Sequence, residues 1–305
     1  MEINKILAEE FKLRQEQVVN TVALIEDGKT IPFIARYRKE LTGSLDDQIL
    51  RELSDRLTYL RNLEIRKSEV SSSIAEQGKL TEEISSALDK AETLVEVEDI
   101  YRPFKPKRKT RASIAREKGL EVLADLIGRQ DDKLDLHNES QKFINVENGL
   151  ETEEEVIQGA SDIIAENVSD DAELRKSIRK LYEKAAKIES RASDENAETV
   201  YQNYYEFCEP VSKIADHRIL ALDRGEKEGA LKVSVSIDEE FCFSIAERKY
   251  VINNTDSGNI VKAAVQDSCK RLIMPSVERE IRAELTARAA EGAIKVFSSN
   301  LRQLL

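Results

Sequence analysis

Between Ser44 and Gln77 the chain places Leu45, Ile49, Leu53, Leu57 and Leu60 at steps of three and four, with charged residues on the opposite face. That spacing draws one apolar stripe along an α-helix; a strand would alternate every second residue. Ser44–Asp47 (SLDD) has the form of a capping box with Asp in place of the usual Glu, and Gly78 breaks the run. A helix of about 30 residues is long for a globular domain, so it has to cross several neighbours or pair in a hairpin.

The same periodicity extends over most of the chain. Ile6, Leu7, Phe11, Val18, Val19, Val22 and Ile25 predict helix over residues 3–26, with a break near Leu13 and Gly28 as its end. Thr30 and Pro32 start a short helix carrying Ile31, Phe33 and Ile34 inward and Arg36, Arg38 and Lys39 outward. Thr81 caps the next, and Ser113 to Ile127 reads as one amphipathic helix closed by Gly128. Further helices are expected near 153–168, 171–188, 239–248, 257–273 and 275–297. Between them, Ile219–Leu222, the turn-like DRGEKEG and the alternating LKVSVSI predict a small β-hairpin near 219–237. The expected fold is mainly α, a multi-helical scaffold with that hairpin, divided into domains at 1–200 and 201–305.

Composition narrows the function classes. Charged residues make up 35% and aromatics 5%, with no Trp, as in an elongated helical protein. The net charge of −12 argues against a protein that coats nucleic acid generally, so any such contact has to be local. Cys208, Cys242 and Cys269 are odd in number and far apart, which points to reduced thiols and a cytoplasmic location. The opening MEINKILAEEFKLR has no signal-peptide core, and no run approaches the roughly 18 apolar residues of a membrane span.

One stretch runs against the acidic background. Tyr101–Lys118 (YRPFKPKRKTRASIAREK) holds Arg102, Lys105, Lys107, Arg108, Lys109, Arg111, Arg116 and Lys118 against the single acid Glu117. Pro103 and Pro106 are expected to keep its first half extended, with Tyr101 and Phe104 among the cations. Such a strap suits a phosphate backbone with unstacked bases beside it. It equally suits a solvated linker, or a strap docked on an acidic surface of the same chain, for which residues 131–173 offer fourteen acids against Lys133 and Lys142. Arg36, Arg38 and Lys39 form a second basic cluster.

No catalytic or metal site is legible. His137 and His217 have no ligand spacing, no phosphate-cradling glycine loop exists, and with 59 acids carboxylate spacing carries no signal. The chain reads as a non-enzyme without cofactor or metal.

Three segments carry a resemblance: Ile31–Asp47 (IPFIARYRKELTGSLDD), Glu98–Leu120 (EDIYRPFKPKRKTRASIAREKGL) and Ser212–Ile237 (SKIADHRILALDRGEKEGALKVSVSI). They resemble the N-terminal part of the Tex family of bacterial transcription accessory proteins, which is similar to the eukaryotic elongation factor Spt6. The resemblance implies a helical scaffold with a helix-turn-helix-like element in a protein that binds nucleic acid and works with the transcription machinery. Family members continue into YqgF-like, helix-hairpin-helix and S1 domains, so the chain is expected to correspond to the part before them. Two functional expectations follow. One is weak binding of RNA or DNA through Arg36, Arg38, Lys39, Arg102, Lys105, Lys107, Arg108, Lys109 and Arg111. The other is a docking module for RNA polymerase or other transcription factors.

Overall fold

The structure is a computed structural model and describes residues 2–105, 109–194 and 199–304. Two compact units emerge, Met1–Lys105 and Pro106–Leu305, and residue 200 lies inside the second.

The first unit is built along one helix. α1 (Ile3–Glu10), α2 (Gln15–Glu26), α3 (Ile31–Tyr37) and α4 (Lys39–Thr42) precede α5 (Asp47–Glu76), and α6 (Glu82–Lys90) and α7 (Leu94–Tyr101) follow it. The 30 residues of α5 bury Leu50, Leu53, Leu57, Leu60, Leu63, Val70 and Ile74 on one face. Leu24 and Ile34 cover its start and Leu7, Val18 and Val22 its middle, while Leu88 and Val97 cover its last turns. The stripe thus crosses several neighbours in succession. Lys67 lies in that buried row, and its ammonium reaches out to the carbonyl of Asp89 at 3.0 Å.

The cap of α5 differs from the expected one. Asp46 caps it, its carboxylate accepting from the Ile49 amide at 2.8 Å. Gly43 and Ser44 both have positive φ, 69° and 63°, so the chain turns there and the helix starts later.

In the second unit, α8 (Arg111–Glu117), α9 (Glu121–Arg129), α10 (Leu136–Gln141), α11 (Glu153–Ser169) and α12 (Ala172–Ala185) lead into β1 (Lys187–Ala192) and β2 (Glu206–Pro210). Then come α13 (Asp216–Lys227), β3 (Leu231–Ser236), α14 (Glu239–Tyr250), α15 (Asp256–Asp267), a π-helical turn (Ser268–Ile273) and α16 (Met274–Leu304). α11 buries Val156, Ala160, Ile163, Ile164, Ala165 and Val168, an apolar surface too wide for one face, and packs against α8, α9 and α15.

The single helix expected over 113–127 is two helices. Gly119, at φ 84°, separates α8 from α9, while Gly128 lies within α9 and Gln130 ends it at φ 52°. The expected hairpin also differs. Residues 216–227 are helical because Ile219, Leu222 and Gly225 share one buried face; a Cβ at 225 would meet Leu231 at 2.6 Å. Only the LKVSVS half is a strand, and its partner is β1, in an antiparallel sheet of order β2-β1-β3. The outer edge of β3 is closed by α16, whose Glu278 accepts the Val235 amide at 2.8 Å. β2 ends on Pro210, which has no amide to offer a further strand.

Cys242 and Cys269 are buried and Cys208 is exposed on β2. Burial pushes the Cys242 thiol up to about 11 and Cys269 up to about 12, so neither forms thiolate near neutrality. A colorimetric disulfide reagent is expected to react at once with one thiol in the native protein and with all three in denaturant. Rapid reaction of a second native thiol would contradict this packing.

Among the described residues, no helix is long and apolar enough to cross a membrane, and no group of three His, Cys, Asp or Glu side chains converges to hold a metal.

Candidate nucleic-acid interface

The basic strap enters from α7. The backbone is not extended at Pro103: Arg102–Phe104 form a 3-10 turn, which tolerates proline at its start because the missing amide has no partner to lose there. Extended backbone begins at Lys105, with ψ 136°.

The turn folds the first cations back on α7. Lys105 pairs with Glu98, which also accepts from Arg66 at 2.7 Å. Burial works against ionisation of Glu98, but Lys105 and Arg66 outweigh it and hold its carboxyl below the usual range. Arg102 lies 4.0 Å from Asp99, which is almost fully buried. Tyr101 shares a hydrogen bond with Ser73 at 2.9 Å, and the charges of Arg66 and Lys105 both stand 5.6 Å from its ring. Phe104 packs on the core beside Ile74, and its carbonyl accepts from Gln77 at 3.0 Å. Both aromatics are partly buried and serve the fold.

Lys107 and Arg108 lie outside the described residues. Lys109 is exposed, 3.9 Å from the equally exposed Glu117, a contact of little energetic weight. Arg111 is exposed at the start of α8. Arg116 turns inward to Glu166 at 2.5 Å and Asn167 at 2.8 Å, fastening α8 to α11. Arg218, beside the presumed hairpin, pairs with Glu209.

The second cluster is arranged otherwise. α3 ends at Tyr37, Arg38 breaks the helix with a φ of −131°, and α4 resumes at Lys39. Gln17 donates to the Thr42 carbonyl at 3.0 Å and Asn20 to the Leu41 carbonyl at 3.1 Å, so α2 fixes this corner. Arg38 is half-buried, its guanidinium 5.5 Å from the Phe33 ring centre and donating to the Tyr37 carbonyl at 3.2 Å. Tyr37 lies beside Phe33, ring centres 5.3 Å apart, and remains 57% exposed. Arg36 and Lys39 are exposed and have no carboxylate partner among the described residues.

α3 packs on α5 at Leu50, whereas the strap is bound at Ser73 and Gln77. The 23 residues from Leu50 to Ser73 span about 35 Å of helix, so Arg102 and Lys105 lie at the other end of α5 from the α3–α4 corner. The residues that sequence reasoning missed are Glu98 and Asp99. Both were visible one and two turns before the cations; the 3-10 turn that brings Lys105 back to Glu98 was not.

Two helical units, the second with a small three-stranded antiparallel sheet, make this a mainly α protein. The chain belongs to the Tex family: it matches the Tex-like protein N-terminal domain over residues 1–75 and the Tex central region-like domain over 131–297. It is 45% identical over 305 residues to the uncharacterized protein YdcI of Bacillus subtilis, covering 98% of this chain and 42% of that protein. Identity is 36% to the transcriptional accessory protein Tex of Neisseria gonorrhoeae, over 100% of this chain and 41% of that protein. It is 31% to the human S1 RNA-binding domain-containing protein 1, over 99% of this chain and 32% of that protein. The chain thus spans less than half the length of these relatives.

Proposed function

We propose that the chain is a non-catalytic helical scaffold of a transcription accessory protein and that it contributes phosphate contacts to a single-stranded nucleic acid. The observation that carries this reading is the α3–α4 corner, where Arg36 and Lys39 are exposed without a carboxylate partner among the described residues and Tyr37 offers an open ring between them. Two cations around an exposed aromatic suit two phosphates with one unstacked base. Arg38 mainly braces the corner and adds its remaining charge. Arg102 and Lys105 are committed to Asp99 and Glu98 and have less to give, while Lys107, Arg108, Lys109 and Arg111 belong to the proposal on charge alone. A relative named for transcription and another named for RNA binding support the direction.

The experiment is an anisotropy titration with a labelled twelve-nucleotide single strand over a series of salt concentrations. Three neutralised phosphates give a log–log slope of roughly −2, against roughly −3.5 for the five of a fully available strap. A slope near zero would reject the reading.

A second reading, docking on RNA polymerase or another transcription factor, is favoured by the last turns of α16. There Ile294, Val296, Phe297 and Leu301 stand 65%, 61%, 69% and 46% exposed. Partners captured through this face would survive nuclease treatment.

A further inference from the structure

The α3–α4 corner is joined to a third element, the turn between α1 and α2. Gln17, in the first turn of α2, donates from Nε2 to the Thr42 carbonyl at 3.0 Å. Its Oε1 accepts from the other side, from the Arg14 amide at 3.1 Å and from Arg14 Nε at 3.4 Å. One carboxamide therefore ties Arg14 to the end of α4, and Lys39 lies one turn earlier on that short helix.

Gly43 makes this bridge possible. A Cβ there would stand 2.1 Å from Gln17 Nε2, and the φ of 69° is one that residues with a side chain rarely adopt. The space a side chain would fill is the space through which Gln17 reaches Thr42. Gly43 is itself exposed, so nothing at that position stands between Lys39 and Arg14 on the surface.

Arg14 is exposed and has no carboxylate partner among the described residues. The bond from Nε orients the guanidinium plane and leaves the two Nη groups to donate elsewhere. A planar pair of donors suits two oxygens of one phosphate. The surrounding charge has the matching sign. Residues 11–17 and 31–42 hold Lys12, Arg14, Arg36, Arg38 and Lys39 against Glu16 and Glu40, in a chain whose net charge is −12.

We infer, on the basis of the phosphate contacts proposed for Arg36 and Lys39, that Arg14 is a further phosphate-binding residue of the same single strand. Gln17 is its positioning residue, and the strand leaves the corner past Gly43 toward the α1–α2 turn.

Arg14 adds a fourth phosphate to the three of the corner, which steepens the wild-type salt slope from roughly −2 to roughly −2.8. In the anisotropy titration with the twelve-nucleotide strand, Arg14→Ala is expected to return the slope to roughly −2 and to weaken binding about threefold at low salt. Arg14→Lys keeps the charge and should keep the slope. Lys79→Ala removes the same charge from an exposed site beyond the far end of α5 and should leave both quantities unchanged. Gln17→Met can neither accept from Arg14 nor donate to Thr42. It is expected to weaken binding as Arg14→Ala does and to add nothing in the Arg14→Ala background, whereas a merely structural glutamine would weaken both backgrounds alike. A wild-type protein that binds with a salt slope unaltered by Arg14→Ala, or an equal loss on Lys79→Ala, would overturn the role of Arg14 and leave the corner reading standing. A further loss on Gln17→Met in the Arg14→Ala background would overturn the role of Gln17. A flat wild-type slope would reject the corner reading and this inference together.

Discussion

Glu280→Ala is expected to lower the free energy of unfolding by about 3–5 kcal/mol. Arg175 is completely buried and Arg179 nearly so, and both direct their guanidinium groups from α12 to Glu280 on α16, at 2.7 and 2.6 Å. Ser276 adds a bond from Arg175 at 3.1 Å. Truncating Glu280 takes away the carboxylate that both buried guanidinium groups share, so the loss exceeds that of an ordinary surface pair several-fold. Urea titration followed by circular dichroism measures it. Replacing Arg175, Arg179 and Glu280 together by leucine removes the charges and fills the space, and should recover most of the loss. A Glu280→Ala protein within 1 kcal/mol of wild type would mean that the cluster is open to solvent.

Leu57→Ala is expected to cost about 2–5 kcal/mol. Leu57 is 2% exposed at the middle of α5, among Leu7, Val18, Val22, Leu53 and Leu60. The substitution removes apolar burial and leaves a cavity that α2 fills only by moving away from the α3–α4 corner it holds. Leu41→Ala, at a site 42% exposed, is the control and should fall within about 0.5 kcal/mol of wild type. Equal stabilities for the two variants would show that the stripe on α5 is not the core of its unit.

The residues of α5 show how far the chain could be read. Leu53, Leu57 and Leu60 declared a helix because their steps match its turn and no other element. Its cap was misplaced by two residues because the left-handed pair Gly43–Ser44 lengthens the turn, and nothing in SLDD separates a cap from a bend. The sheet was half legible. Leu231–Ser236 alternates and was found, but β1 reads KIESRA, with only Ile188 and Ser190 buried, and is a strand only because it is paired on both sides. Ile219–Leu222 looked like strand because four apolar residues fit either period. In the candidate interface, Arg36 and Lys39 were placed outward by helical phase, and they are exposed. The commitment of Arg102 and Lys105 depends on a 3-10 turn around Pro103, a tertiary choice that the two prolines alone do not announce.

The most direct test of the proposed interface compares Arg36→Glu/Lys39→Glu with Lys105→Glu in the single-strand anisotropy titration at low salt. The expected result is a loss of at least about tenfold in affinity, with a flattened salt slope, for the corner variant and a much smaller change for Lys105→Glu. Equal affinity for the corner variant and wild type would contradict it, as would a loss confined to Lys105→Glu.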